Sequence, residues 1–315
     1  MNMWDQKRYH SLDYELKQQY GRKVYKLSLN GGMSCPNRDG TIDTRGCIFC
    51  SAGGSGDFAS SPMLSIPDQI EAAKKLVEGK LKDPGNAKYI AYFQAYTNTH
   101  APLAHLDKIF TEAIHHPDIV ILSIATRPDC LSDDVLNLLK ELNRIKPVWI
   151  ELGLQTIHDA SADFIRRGYE LSVFRTAVSK LHELGIPIIV HTILGLPNET
   201  KHDMLMTMEY ISSLPIWGIK LQLLHILKGT DLGLLYEEGK LQEVMSLEDY
   251  VDLVISCLEV LPGEMVIHRI TGDGPKKLLL SPLWSGNKKL VLNSIQHAFK
   301  TKDTYQGKYY ISYLQ

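Results

Sequence analysis

Three of the chain's five cysteines stand in one glycine-rich stretch, SLNGGMSCPNRDGTIDTRGCIFCSAGGSGDF (28–58), as Cys35, Cys47 and Cys50 with C-x11-C-x2-C spacing. Glycines within and around the triad let backbone and thiolates converge on one point. Three unrelated core cysteines do not explain that spacing, so the loop reads as a metal site. A closed zinc site wants four ligands, and zinc here needs a histidine or water as the fourth. An iron–sulfur cluster normally takes four cysteines. Three would leave one iron open to bind and activate something else. On the loop alone both readings stay open.

The elements around the loop say where it sits. It follows the apolar run VYKLSLN, and five further runs recur: KYIAYFQ, DIVILSIATR, PVWIELGLQ, IPIIVHTILG and GIKLQLLHIL. They are short and apolar on both faces, as parallel strands under helices are. Helical patterns lie between them. Over 132–143, Ser132 is the predicted cap and Val135, Leu138, Leu139 and Leu142 form one stripe. Over 172–184, Ser172 is the predicted cap for Phe174, Ala177, Val178 and Leu181, with Gly185 and Pro187 ending the helix. Met204, Met208 and Ile211 mark another over 200–214. Alternating β and α units predict an α/β fold, a partial TIM-type (β/α)6 barrel over 24–227 that stays partly open. Ligands in such sheets sit at the C-terminal strand ends, where the cysteine loop begins. Residues 1–23 read as a basic N-terminal segment. Residues 228–315 break the pattern with a helix (246–260), the strand-like EMVIHRI, the turn-rich TGDGP and a helical stretch near 287–300. They read as a C-terminal α+β extension or lid.

A chain of 315 residues, 44% hydrophobic, can bury a large core. No apolar run approaches the roughly 20 residues that cross a bilayer, and the first residues carry no apolar signal region. An odd, low cysteine count argues against a disulfide framework. The expectation is a soluble cytoplasmic protein with no membrane partner. Net charge is −2, but residues 1–26 carry six Lys/Arg against three Asp/Glu and residues 264–315 carry eight against three. The ends are thus +3 and +5, leaving −10 between them. Basic ends could hold a phosphate backbone; the plain alternative is solvated lysine-rich termini.

CPNRDGT, CIFCSAGGSGDF, YFQAYTNTHAP, RPDCL, ELGLQTIHD, RRGY, HTILGLPNET, LHILKGT and TGDGP, in this order, resemble the radical S-adenosylmethionine (SAM) superfamily. Most members space the cysteines C-x3-C-x2-C. The longer first interval resembles the branch related to the catalytic subunit of Elongator, and within it the YhcC/YtqA-type (MnmL-like) family. The resemblance covers residues 20 to about 300. It implies one [4Fe–4S] cluster on Cys35, Cys47 and Cys50, with SAM chelated at the open iron and cleaved to a 5′-deoxyadenosyl radical.

The resemblance also implies roles residue by residue. Phe49 would lie near the adenine, or else anchor the loop. Gln94 ends the second strand where relatives have a Gly-rich stretch receiving the SAM amino group. Glu151 and Gln155 are polar groups in an apolar run; the glutamine of this motif binds the SAM ribose in relatives. Arg167 would meet the SAM carboxylate, with Arg166 able to exchange roles. His191 stands where relatives bind ribose, or is a core histidine. Backbone at Leu223–His225 would flank adenine. Arg127 and Lys228, at the mouth-facing strand ends, are candidates for a substrate carboxylate, or else Arg127 belongs to a structural β-to-α turn and Lys228 is solvated. Asp273 in TGDGP is a candidate reactive group, with Arg269, Lys276 and Lys277 as RNA-phosphate contacts. Cys130 and Cys257 read as core residues. The implied activity acts on a tRNA wobble uridine, converting carboxymethylaminomethyl-uridine to aminomethyl-uridine. The implied partners are tRNA and an electron donor such as flavodoxin or ferredoxin. A radical SAM enzyme on another substrate, and a non-catalytic zinc or RNA-binding module, are the alternatives.

Overall fold

The computed structural model describes residues 4–311 except positions 55, 57, 58, 82, 243 and 273. Its strands are β1 (Val24–Leu29), β2 (Lys88–Phe93), β3 (Ile119–Thr126), β4 (Val148–Gln155), β5 (Ile188–Leu194), β6 (Gly218–Leu223), β7 (Ile226–Leu227), β8 (Val266–Arg269) and β9 (Leu279–Ser281). Its helices are α1 (Leu12–Tyr20), α2 (Ile66–Val77), α3 (Leu103–His115), α4 (Asp133–Asn143), α5 (Asp159–Phe164), α6 (Leu171–Glu183), α7 (Lys201–Ser212), α8 (Asp231–Glu237), α9 (Leu247–Val260) and α10 (Lys288–Thr301).

Strands β1 to β6 lie side by side in chain order, all parallel, as the repeated β-then-α pattern predicts. The sheet then gains a seventh strand. EMVIHRI, assigned from sequence to the extension, supplies β8, which pairs parallel with β6 through Gly218–Val266 and Ile219–Ile267. Helix α9 makes the crossover and packs against α7 and α10. The short strands β7 and β9 form a separate antiparallel pair.

Local signals fix the helix starts. Ser132 accepts from the Val135 amide, and Thr200 and Asp203 form a reciprocal capping box. Ser172 is a correction: α6 begins one residue earlier, after Glu170, without a side-chain cap. Gly185, at φ +65°, ends that helix as expected.

Period-two alternation sorts the strand residues into two environments. Outward-facing Leu27, Leu29, Phe93, Ile124, Leu152 and Leu221 enter the main core beneath the helices. Inward-facing residues form layers across the barrel, as in closed sheets of this type. Lowest are Val24, Ile90, Ile121, Trp149 and Ile189, plugged by Leu16 of α1. Two residues further on come Lys26, Tyr92, Ser123, Glu151 and His191, with Lys220 of β6. Above them Ser28, Gln94, Ala125, Gly153, Ile193 and Gln222 line a cavity.

The polar layer demonstrates the curl of the sheet. Lys26 Nζ on β1 lies 2.7 Å from Glu151 Oε1 on β4, and Lys220 Nζ on β6 donates to the Tyr92 hydroxyl on β2 at 3.1 Å. In a flat sheet these pairs would stand about 14 and 19 Å apart.

The last strand is fastened by both ends of the described chain. The Ile267 amide donates to the His10 carbonyl at 2.7 Å. Gln306 accepts from the His10 amide at 2.8 Å and donates to the carbonyls of Pro262 and Met265 at 2.6 and 2.8 Å. Arg8 pairs with Asp303 at 2.7 Å.

Candidate active site at the barrel mouth

A cavity of about 950 Å3 opens at the C-terminal strand ends, and Cys35, Cys47 and Cys50 line it. Among the described residues, the group of three Cys, His or carboxylate ligand atoms drawn within 4.8 Å of one another is Glu71, His116 and Asp118, not the cysteines. Thiolates around a single zinc would stand closer than that. The trio therefore shares one cavity without being drawn together around a single ion. Burial, with the Cys50 and Cys35 thiols nearby, pushes Cys47 up to about 11. A thiol so placed gains its anionic form by binding a metal.

The sequence between the cysteines holds the loop in place. Asn37 Nδ2 donates to the Arg166 carbonyl at 2.7 Å and lies 3.5 Å from Cys47 Sγ. Arg38 donates to the carbonyls of Cys50 and Ser51, both at 2.8 Å. A Cβ on Gly168 would lie 2.7 Å from Asn37 Oδ1, so glycine keeps the two loops together. Asn37 and Arg38 were not singled out from sequence; their place between cysteines in CPNRDG was the available signal.

Phe49, Gln94, Gln155 and Leu223 all line the cavity. Phe49 also packs on the small apolar cluster of Ile48, Ile165 and Leu224, so lining and anchoring coexist in one ring. Gln155 adopts φ +69°, and its buried Oε1 has no protein partner. Such a strained residue with an open acceptor is a typical ligand contact. The cavity's size, three thiols and an unspent buried acceptor fit a cluster with a nucleoside cofactor.

Other assignments change. Arg127 is held by Asp129 through two bonds of 2.9 and 2.7 Å and donates to the Arg167 carbonyl at 2.8 Å. Its charge is already met. Arg167 lines the cavity but gives three bonds to the carbonyls of Leu154, Thr156 and Tyr169. It fastens the end of β4, whatever else it touches. Arg166 pairs with Asp231 at 2.5 Å. Of the two readings of Lys228 the structure fits the solvated one: its side chain is exposed and stands outside the cavity lining, because the chain turns into β7 and pairs with β9 there. Lys276 and Lys277 are exposed on the rim instead, and Arg269 lines the wall. Asp273 lies outside the described residues. Its loop folds against LHILKGT: a Cβ on Gly272 would lie 2.4 Å from the His225 ring. Cys257 is buried in α9, as expected.

Glu151 and His191 belong to the polar layer at the cavity floor. Glu151 accepts from Ser123 at 2.9 Å, lies 2.7 Å from both Lys26 Nζ and His191 Nε2, and contacts Lys220 Nζ. The Tyr92 ring sits between the two ammonium groups, 4.7 Å from Lys26 and 4.6 Å from Lys220. Burial alone would raise the Glu151 carboxyl, but Lys220 and Lys26 overcome it and hold the group well below its usual range. Burial, aided by Lys220, lowers His191 to about 4, so the ring is neutral. Lys26, Lys220 and Tyr92 were not singled out from sequence. Their signal was a lysine at an alternate position inside each of two apolar runs.

A family model described as "Radical SAM superfamily" matches residues 44–211, and one described as "Radical_SAM C-terminal domain" matches 216–301. The uncharacterized protein YtqA of Bacillus subtilis is 48% identical over 305 residues, 97% of this chain and 94% of its own. The tRNA uridine(34) acetyltransferase of Methanocaldococcus jannaschii is 24% identical over 203 residues, 64% of this chain and 36% of its own. The structure of the Methanocaldococcus infernus Elp3 with an N-terminal deletion aligns with TM-score 0.66 at 16% identity. That alignment covers 90% of this chain and spans 64% of the archaeal one, and it supports the fold. The chain thus belongs to the radical SAM superfamily and is an enzyme that works with a [4Fe–4S] cluster and SAM.

Proposed function

We propose that the enzyme modifies the 5-substituent of a tRNA wobble uridine, turning carboxymethylaminomethyl-uridine into aminomethyl-uridine. The observation that carries this reading is the cavity: thiols on one side, two buried lysines sharing one carboxylate at the floor, and Lys276 and Lys277 at the rim. The rim suits a polynucleotide backbone, and the floor suits a substituent that carries negative charge. A relative named for tRNA uridine(34) supports the same substrate class.

When bound, the cluster and SAM supply a 5′-deoxyadenosyl radical that removes a hydrogen atom from the substrate. Cys35, Cys47 and Cys50 would hold the cluster. Gln155 and the backbone near Leu223 would orient SAM, and Phe49 would help exclude water. The residues at the floor would bind the carboxylate end of the substituent and so fix the methylene between nitrogen and carboxylate within the cavity. A one-electron carrier of the flavodoxin or ferredoxin type would supply the electron that cleaves SAM; loss of one electron and one proton from the substrate radical to an oxidised carrier of that type, and addition of water, would then break the C–N bond, leaving the amine on the base and releasing a two-carbon oxo-acid.

The test is anaerobic incubation of reconstituted enzyme with SAM, reductant and tRNA carrying the substituent, deuterated at that methylene. Nucleoside mass spectrometry should detect aminomethyl-uridine, with deuterium in 5′-deoxyadenosine. An unchanged nucleoside rejects the substrate, and unlabelled 5′-deoxyadenosine rejects the site of abstraction. Cys47→Ala should remove the iron and both products.

A further inference from the structure

In the polar layer at the cavity floor two lysines share a single carboxylate. Lys26 and Lys220 both converge on Glu151, while His191 is neutral. Lys220 is 4% exposed, yet it lines the cavity with Tyr92 and His191. An ammonium has three N–H donors. The described partners of Lys220 are Glu151 and the Tyr92 hydroxyl, which leaves one donor. Burial pulls Lys220 well below the usual lysine range while Glu151 pulls it back up, so an anionic acceptor at the unspent donor would further favour its charged form. Tyr92 accepts from Lys220, burial keeps its phenol protonated, and its O–H is engaged with Glu151, so the phenol holds both partners of the ion pair in place.

Depth decides which anion reaches this point. Lys220 lies three residues below Leu223, the end of β6, a rise of about 10 Å along the strand. Lys276 and Lys277 stand at the rim, exposed. The phosphates of a polynucleotide meet the rim. A small anion carried on the side-arm of a base can reach the floor. The other cations considered for that task are committed elsewhere: Arg127 to Asp129, and Lys228 to solvent.

We propose that Lys220, with Tyr92 beside it, is the carboxylate-binding residue of the active site and takes the carboxylate of the substrate's side-arm. The side-arm's identity rests on the wobble-uridine reading; the anion site itself does not. SAM also bears a carboxylate, so the experiment has arms that separate the two sources.

In the first arm, acetate and acetamide are added to the anaerobically reconstituted enzyme without tRNA, and the melting temperature is followed. Acetate should raise it more than acetamide in the wild type and in Lys220→Arg, but not in Lys220→Met. Equal shifts from acetate and acetamide in the wild type would overturn the anion site. The second arm compares tRNA bearing carboxymethylaminomethyl-uridine with tRNA bearing methylaminomethyl-uridine. Wild type should prefer the carboxylate. Lys220→Met should lose about 10- to 100-fold in kcat/KM on the carboxylate substrate, mostly through KM, and lose the preference. Lys220→Arg should restore much of both. The third arm measures SAM binding by equilibrium dialysis. Unchanged affinity in Lys220→Met supports the substrate assignment. A tenfold loss with substrate preference intact assigns the site to SAM and overturns it. An acetate-specific shift that Lys220→Met abolishes, with neither tRNA converted, supports the anion site while rejecting the wobble-uridine reading. Lys277→Met is the contrast: it should weaken both tRNAs equally and flatten the salt dependence of binding.

Discussion

Two neighbouring layers of the barrel interior, one strand pleat apart, are built on opposite principles. The lower layer, Val24, Ile90, Ile121, Trp149 and Ile189, is apolar and plugged by α1. The layer above, Lys26, Tyr92, Ser123, Glu151 and His191 with Lys220, is a hydrogen-bonded ion cluster. The same strands supply both, so backbone geometry cannot be the cause of the difference. The lower layer gains by excluding water. The upper layer gives up that gain to keep charge inside a low-dielectric wall, where electrostatic recognition is strong. Stability is set at the bottom and chemistry begins one step higher.

The sharpest way to break the contrast is to remove its central carboxylate. Glu151→Gln leaves two ammonium groups without their shared anion and should cost about 3–5 kcal/mol in urea unfolding. It should also lower substrate turnover in whatever fraction folds. Trp149→Ala, two residues earlier, should cost a similar 3–5 kcal/mol through the cavity it opens. SAM affinity of the folded fraction should then stay at the wild-type value. Equal effects of both variants on SAM and substrate binding would erase the distinction between the layers.

Acid should separate the layers next. His191 is depressed to about 4 from 6.5, and Glu151 lies well below the carboxylate range. For each, the unfolded chain takes up its proton at a higher pH than the folded one. Stability is therefore fully present above the unfolded pKa and is lost as pH falls. For His191 the loss runs from about 6.5 down to about 4 and is on the order of 3 kcal/mol. Urea midpoints of the metal-free protein across that window should fall in wild type and flatten in His191→Asn; parallel curves would assign the slope elsewhere.

The smallest effect serves as calibration. Lys180 and Asp133 pair at 2.8 Å on the surface, 44% and 84% exposed, much the distance of the Lys26–Glu151 pair. Asp133→Asn should change stability by less than about 1 kcal/mol. A larger change would mean that distance rather than burial governs these pairs.

The contrast between layers also explains what could be read from the chain. Strand positions, the helix stripes and the Ser132 cap follow from local pattern, and the structure repeats them. The cysteine loop was legible because its spacing is local. Glu151 and His191 stood out as polar breaks in apolar runs. Lys26 and Lys220 did not, because a lysine within an apolar run reads as a strand edge until the sheet curls and brings β1 to β4 and β2 to β6. The seventh strand was hidden for a similar reason: β8 is only four residues long and pairs with β6 across a crossover of more than 40 residues. The motif LHILKGT puts Lys228 at the end of β6, but the turn into β7 carries it out of the cavity.

The fastening of β8 has a consequence of its own. An outermost strand in any open sheet offers unpaired amides to a second molecule. Here the His10 carbonyl occupies one such amide, and the Gln306 side chain clamps the approach. His10 and Gln306 thus form a selvedge along β8 that closes part of its edge to a second molecule. Loosening it at Gln306 would first be visible in light scattering, as self-association of molecules whose interiors remain intact.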